Sequence, residues 1–211
     1  MDYPSNMSRL TSRQISLIAL MSATSIVMAY SKGLVMAAFP GLFEFMTVFI
    51  FVTGYSFGHV VGGAVGVISL TIYMLIPFPF AHPTAWLFTI SPILLVVMAV
   101  LGGMFGVAGW ATSKFLTARR DLKFTLSLGV IGLVLTFIYD VGSSIGFALA
   151  YPAFTTIWQA VVLTFVPLYL PYPPIIHTAT NAIIFAAVAP VLITVIAQLP
   201  DPAISRKVEP E

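Results

Sequence analysis

The chain of 211 residues contains no cysteine, and only 8% of its residues are charged. Without cysteine it can form no disulfide, carries no thiolate nucleophile and offers no thiolate ligand to a metal. Its net charge of +2 is too small to indicate a nucleic-acid partner. Soluble domains carry about 25% charged residues. With 59% hydrophobic residues and a mean hydropathy of +1.04, the scarcity of charge predicts a polytopic membrane protein that lies in a lipid bilayer.

Long uncharged stretches divide the chain into candidate spans. No Asp, Glu, Lys or Arg occurs from Phe45 to Ser113, and because a spanning helix needs about 20 mostly apolar residues, that stretch holds several helices. Gly58 and a group of prolines after Ile76 interrupt it. We therefore predict an all-α membrane protein, a single domain over 1–211 with six transmembrane helices in one bundle. The predicted helices cover about 14–31, 42–57, 59–76, 92–112, 124–149 and 175–197, with a polar tail at 200–211.

The basic side chains predict the orientation of the chain. With six helices both termini lie on one side of the membrane, and eight of the nine Lys and Arg residues fall on that side, as is typical of cytoplasmic segments. We therefore predict a multi-pass protein of the cell membrane with both termini in the cytoplasm. External loops at about 32–41, 77–91 and 150–174 are predicted to cover an external pocket. The eight residues are Arg9, Arg13, Lys114, Arg119, Arg120, Lys123, Arg206 and Lys207, whereas Lys32 lies opposite.

Two acidic side chains, Glu44 and Asp140, fall inside the otherwise apolar sequence. A carboxylate at membrane depth is costly, so each is by default a candidate functional residue. Glu44 opens the second predicted helix, where an acid in the first turn also suits the helix dipole. Asp140 lies in the outer half of the fifth helix, with Thr136 and Ser144 four residues away on its own face.

Further polar side chains are predicted at the same outer level. His177 and Asn181 are four residues apart on one face of the sixth predicted helix, and Tyr139 adjoins Asp140. Such groups either contact ligands or hold helices together. A structural pair of Asp140 with a histidine of the sixth helix is therefore the alternative to a ligand site. The predicted substrate-binding residues are Glu44, Asp140, Asn181, His177, Tyr139 and Ser144, with His82 and Trp86 of the second external loop.

Small residues recur at intervals of four. This spacing lets helix backbones approach closely, so the glycines are predicted to pack inside the bundle. In the first helix, Ala19 and Ala23 form a small, nearly flat surface that could pack inside the bundle or against a partner protein. The glycines with this spacing are Gly54, Gly58, Gly62, Gly66, Gly102, Gly106, Gly142 and Gly146.

Two other function classes remain open. Asp140 and His177 could form the proton relay of a stand-alone channel or proton-coupled carrier. The segment Gly142-Ser143-Ser144-Ile145-Gly146 matches G-x-S-x-G, and with Asp140 and His177 it suggests an intramembrane serine hydrolase that uses Ser144. A nucleophile elbow, however, needs a strand–turn–helix context, whereas this segment is predicted to be helical. No metal-binding motif occurs in the sequence, so neither a metal nor a cofactor is predicted.

Several segments resemble the S components, which are the substrate-binding membrane subunits of energy-coupling factor (ECF) vitamin transporters. The resemblance covers the second and third predicted helices, the late part of the fifth, the start of the sixth, and a small-residue motif in the first. The segments are Ala19-x-x-x-Ala23, Phe43-Glu44-Phe45-Met46, Gly54-Tyr55-Ser56-Phe57-Gly58, Gly62-Gly63-Ala64-Val65-Gly66, Tyr139-Asp140, Pro173-Pro174-Ile175-Ile176-His177 and Asn181-Ala182-Ile183-Ile184-Phe185.

The resemblance implies that six helices enclose one vitamin-sized ligand near the outer face. It also implies that the loaded subunit docks, through Ala19 and Ala23, on a transmembrane coupling subunit whose two cytoplasmic ATPase subunits drive release. The chain itself would then be no enzyme, in keeping with a sequence that contains no G-x-x-x-x-G-K-[ST]. Aromatic and polar residues around the predicted pocket suit a planar, polar vitamin or related micronutrient.

Overall fold

The structure, a computed structural model, describes residues 10–35, 44–75, 92–119, 121–151, 156–165 and 174–199. Within these ranges the chain is entirely α-helical apart from short caps and connections, which confirms the predicted all-α class. The helices are α1 (Ser12–Val35), α2 (Phe45–Phe57), α3 (His59–Leu75), α4 (Ile93–Phe115), α5 (Leu122–Ala150), α6 (Ile157–Phe165) and α7 (Pro174–Ala197).

Local sequence signals fix the helix ends. Thr11 and Gln14 form a capping box before α1, in which the Gln14 N–H donates to the Thr11 hydroxyl and the Thr11 N–H donates to the Gln14 side chain. At α5 the Asp121 carboxylate accepts the Phe124 N–H at 2.7 Å. Between α2 and α3 the chain turns at Gly58, whose φ of +97° favours glycine.

Four of the helices are long and apolar enough to cross a membrane: the segments Ser12–Tyr30, Ile93–Phe115, Leu122–Ala150 and Ile175–Ala197. The other two predicted spans are shorter. α2 has 13 residues and α3 has 17, so at 1.5 Å per residue α2 is about 20 Å long, against a hydrocarbon core of about 30 Å. The prediction of six spans and the predicted orientation of the termini therefore stay predictions.

The outer surface of the bundle carries large apolar side chains. On α4 the exposed residues include Val96 and Val100, and α5 exposes a broad apolar face with a helical repeat. Contiguous exposed apolar surface is unusual on soluble monomers, whereas it is the normal outer surface of a helix bundle in lipid. The exposed apolar residues of α5 include Leu126, Val130, Leu133, Val134, Phe137 and Ile138.

Helices α2, α3 and α4 pack backbone against backbone through glycine, and we call them the glycine-packed group. A methyl group added at Gly62 would collide with the backbone of Gly54 and lie 3.0 Å from the Gly106 carbonyl oxygen. Gly66 meets the backbone of Gly102 in the same way. This confirms the predicted close packing for these glycines. Gly58 differs, since no atom lies within 4 Å of its hypothetical Cβ.

Helices α5 and α7 form a second unit, the α5–α7 pair. Gly132 lies directly beneath the Phe185 side chain, and an added Cβ at Gly129 would lie 3.2 Å from the Ala186 Cβ. Aromatic rings join the pair to the glycine-packed group. The Phe185 ring centroid lies 5.3 Å from that of Phe51 and 6.3 Å from that of Phe105.

The helix directions define two ends of the bundle. At one end α2 turns into α3 and α4 connects to α5. The Tyr55 hydroxyl donates to the Leu116 carbonyl there, and Lys114 and Lys123 are exposed. We call this the basic end. The opposite end, where α2 begins and α7 begins, holds Glu44 and is called the polar end.

Candidate functional site

Asp140 of α5 is buried at the polar end, where it contacts two consecutive residues of α7. One carboxylate oxygen lies 2.8 Å from Nδ1 of His177. The other accepts a hydrogen bond of 2.9 Å from the Thr178 hydroxyl. The carboxylate is only 6% exposed as a residue, so these two bonds replace the water that a charged group would otherwise require.

Asn181, one turn along α7, connects this pair to α2. Its side-chain Nδ2 lies 3.1 Å from Nε2 of His177 and 3.4 Å from the Thr136 hydroxyl of α5. Its Oδ1 accepts the backbone N–H of Glu44 at 3.0 Å. Asn181 is fully buried. One amide therefore joins three helices, and we call Asp140, His177, Thr178, Asn181 and the Glu44 N–H the polar network.

The Glu44 N–H determines where the protons of the polar network lie. A backbone N–H can only donate, so the Asn181 oxygen must face Glu44 and the amide NH₂ must face His177. The His177 Nε2 is then an acceptor, and the remaining imidazole proton lies on Nδ1, which donates to Asp140. In this arrangement every bond of the network has one donor and one acceptor.

Glu44 immediately precedes α2 and is 6% exposed. The sequence predicted Glu44 in the first turn of this helix, whereas the helix begins at Phe45, one residue later. The Glu44 side chain makes no capping hydrogen bond to the helix. Its backbone carbonyl accepts the Thr47 hydroxyl at 3.2 Å. Like Glu44, Tyr73 and Tyr139 are buried at the polar end, so this part of the bundle contains an acid and two phenols.

Aromatic rings surround these acids. The Tyr139 ring centroid lies 6.5 Å from the His177 ring and 6.0 Å from Phe105. Tyr30 of α1 packs edge-on against Tyr73 of α3 with centroids 5.6 Å apart. Aromatic surface with a few fixed polar groups is the usual lining of a small-molecule site.

The structure brings together five of the predicted substrate-binding residues: Glu44, Asp140, Tyr139, His177 and Asn181. The direct Asp140–His177 contact is the structural pair that the sequence left as an alternative to ligand binding. His82 and Trp86 lie outside the described residues. Tyr30, Tyr73 and Thr178 were not predicted as site residues. The position of Thr178 beside His177 was a signal for its role, since consecutive α7 residues can reach the two oxygens of one carboxylate.

The hydroxyl of Ser144 is not positioned as a nucleophile in the structure. Its hydroxyl donates to the backbone carbonyl of Asp140 at 2.7 Å, one helical turn earlier. The hydroxyl of Ser143 donates to the same carbonyl. His177, which would have to act as the base, uses its nitrogens for Asp140 and Asn181. Among the described residues, no three His, Cys, Asp or Glu side chains are grouped so that they could hold a metal ion.

The predicted docking residues lie on the outside of the bundle. Ala19 and Ala23 are exposed on α1. The opposite face of the helix is buried and carries Ile18, Ser25 and Ala29. The small surface that they form is therefore available outside the bundle, and packing inside the bundle, the other possibility left by the sequence, is not what the structure has.

Comparison of the chain with protein-family models, with curated proteins and with solved structures finds no match. Neither a family nor a relative therefore assigns a role to the polar network. The function of the chain has to be inferred from the residues themselves, from their contacts and from the surface that the bundle presents.

Proposed function

We propose that the chain is the substrate-binding membrane subunit of an ATP-driven importer of the energy-coupling factor type. In this proposal it captures a vitamin or related micronutrient at the polar end and delivers it by docking on a coupling subunit that two ATPase subunits serve. The observation that carries the proposal is the polar network, in which Asp140 and Asn181 are buried between helices and contact His177, whose side chain is 13% exposed. Buried ionisable groups at membrane depth mark ligand or ion sites more often than packing sites.

The distribution of charge supports an outward-facing polar end. The basic residues whose side chains the structure describes lie at the other end of the bundle, as Lys114 and Lys123 illustrate. Lysine and arginine accumulate on the cytoplasmic side of membrane proteins. The basic end is accordingly assigned to the cytoplasm, and helices α1–α5 and α7 are assigned to the membrane. The polar end with its tyrosines then faces outward, where a nutrient would be captured.

The exposed face of α1 supports a docking role. Small side chains such as Ala19 and Ala23 allow a partner helix to approach closely in lipid, where van der Waals packing drives helix association. Both residues are exposed, so a partner helix can reach them without rearrangement of the bundle.

A proton-coupled carrier is the second candidate, because Asp140 and His177 are in direct contact. A transport assay separates the two. Small molecules that co-purify with the protein are identified by mass spectrometry, and the most abundant one is offered to proteoliposomes that contain this chain alone. The importer-subunit proposal predicts binding without uptake. Uptake without any ATPase partner, increased by an imposed proton gradient, would establish the carrier instead.

Docking is tested by added bulk on α1. Ala19→Leu combined with Ala23→Leu should abolish uptake of the identified compound in cells, because leucine prevents close helix approach, and should leave its binding to the purified protein unchanged. Ala187→Leu, the same change at an exposed position of α7, is the matched control and should affect neither. Loss of binding in the α1 variant would place these alanines in a structural role.

A further inference from the structure

At the basic end, Lys114 and His59 lie beside the indole of Trp110, and the proposed function does not use them. We call these three residues the Trp110 cluster. The ring centroid of His59, the first residue of α3, lies 4.7 Å from that of Trp110 on α4. The Lys114 ammonium lies 5.4 Å from the centroid of the Trp110 ring. Cation–π contact of this kind limits the positions that a flexible lysine side chain adopts. Two N–H donors from different helices are therefore held beside one indole.

Neighbouring contacts keep this region of the bundle ordered. The Leu116 N–H continues the α4 hydrogen bonding to the Thr112 carbonyl at 2.9 Å, and the Leu116 carbonyl accepts the Tyr55 hydroxyl. Ala118 is buried and Asp121 caps α5. The backbone next to Lys114 is thus tied to α2 by the Tyr55–Leu116 hydrogen bond.

A strip of exposed apolar side chains begins next to the Trp110 cluster and follows the line of contact between α3 and α4, which we call the α3–α4 seam. Val60, Val67 and Val107 border it and are 42–44% exposed. Between them are Gly63 and Gly103, where an added Cβ would lie 3.6 Å from Val107 and 3.2 Å from Val67, respectively. Because these glycines have no side chain, the exposed valines form the surface of the seam, which leads from Trp110 towards the middle of the bundle.

We propose that this region binds an anionic phospholipid, with the headgroup phosphate on Lys114 and His59 and one acyl chain along the seam at Gly63 and Gly103. The ammonium and the imidazole both donate to phosphate oxygens, and the indole of Trp110 suits the polar boundary of a membrane. A soluble anion would use these two donors alone. The adjoining valines of the seam, exposed on the outside of the bundle, favour a lipid over a soluble anion.

The test uses the full chain in nanodiscs made of phosphatidylcholine alone or mixed with phosphatidylglycerol, with bound lipid counted by native mass spectrometry. We expect wild-type protein to retain phosphatidylglycerol selectively. Lys114→Gln should weaken that retention about tenfold or more, because it removes a direct charge-assisted hydrogen bond to the phosphate in addition to the general attraction of one basic side chain. Lys123→Gln removes the same charge from the same end but lies away from Trp110 in the described contacts. It should weaken retention about fivefold at most, which is the general attraction alone.

A second variant tests the acyl-chain position. Gly63→Leu places a side chain on the seam, and its Cβ would meet only the Val107 side chain, at 3.6 Å, so the protein should unfold at the wild-type temperature but lose its preference for phosphatidylglycerol. Equal losses in Lys114→Gln and Lys123→Gln would overturn the proposal in favour of diffuse charge attraction. Inorganic phosphate added to phosphatidylcholine nanodiscs should not raise the unfolding temperature. If it does so as strongly as phosphatidylglycerol, the site is one for a soluble anion.

Discussion

The glycine-packed group and the α5–α7 pair hold helices together by different means. In the former, backbones of α2, α3 and α4 touch at Gly62 and Gly106, and no side chain lies between them. In the latter, Asp140 and Asn181 connect the helices through side-chain hydrogen bonds. Side chains can exchange a helix partner for a ligand, whereas interlocked backbones cannot. Under the proposed function, the glycine-packed group is therefore the scaffold and the α5–α7 pair contacts the ligand.

The largest expected effect is on the glycine-packed group. Gly62→Ala introduces a methyl group that meets the backbone of Gly54, so whole helices have to move apart. We expect the free energy of unfolding to fall by about 3 kcal/mol or more, measured by denaturant titration in detergent micelles. Gly63→Ala is the matched control, since its Cβ would be in ordinary contact with Val107, and should change stability by less than about 1 kcal/mol. An equal loss of unfolding free energy in the two variants would contradict the backbone contact at Gly62.

The second effect concerns the polar network. Asp140→Ala leaves the His177 N–H and the Thr178 hydroxyl buried without their acceptor, which should cost about 2–3 kcal/mol of unfolding free energy. Asp121→Ala, at the other end of α5, removes a helix cap and should cost about 1 kcal/mol. Both are measured by the same titration. If Asp140→Ala costs no more than Asp121→Ala, the network does not hold α5 and α7 together.

The smallest effect separates two threonines of α7. Thr178→Val removes one hydrogen bond to Asp140 and should lower the unfolding free energy by about 1 kcal/mol. Thr194 donates only to carbonyls of its own helix, those of Pro190 and Val191, so Thr194→Val should leave stability nearly unchanged. The thermal unfolding midpoints of both variants in detergent provide the comparison, and a shift confined to Thr194→Val would contradict it.

Much of the helical framework could be predicted from the sequence, because uncharged runs and glycine spacing are one-dimensional signals. Each predicted helix has a counterpart in α1–α5 or α7, whereas α6 (Ile157–Phe165) lies within the segment 150–174 that was predicted as an external loop. The short length of α2 was harder to predict from the sequence. Its predicted start at residue 42 followed from apolar composition, whereas the described helix begins at Phe45.

The residues of the candidate site could be predicted from the sequence, whereas the contacts between them could not. Asp140, His177 and Asn181 lie at one depth along their helices, as the helix register predicts. Their pairing depends on the rotation of α5 against α7, which the sequence does not determine. The same holds for Tyr30 and Tyr73, whose contact requires α1 and α3 to be neighbours in the bundle. Three-dimensional packing alone supplies these relations.

The most direct test of the central claim compares wild type with Asp140→Asn. Asparagine keeps an acceptor for the His177 N–H and a polar contact for Thr178, so the fold is retained while the charge is lost. Mass spectrometry of small molecules that co-purify with each protein gives the amount bound. We predict at least a tenfold weaker retention of the wild-type ligand, about 1.4 kcal/mol, at an unchanged unfolding temperature. Equal retention in both proteins would contradict the claim and make Asp140 purely structural.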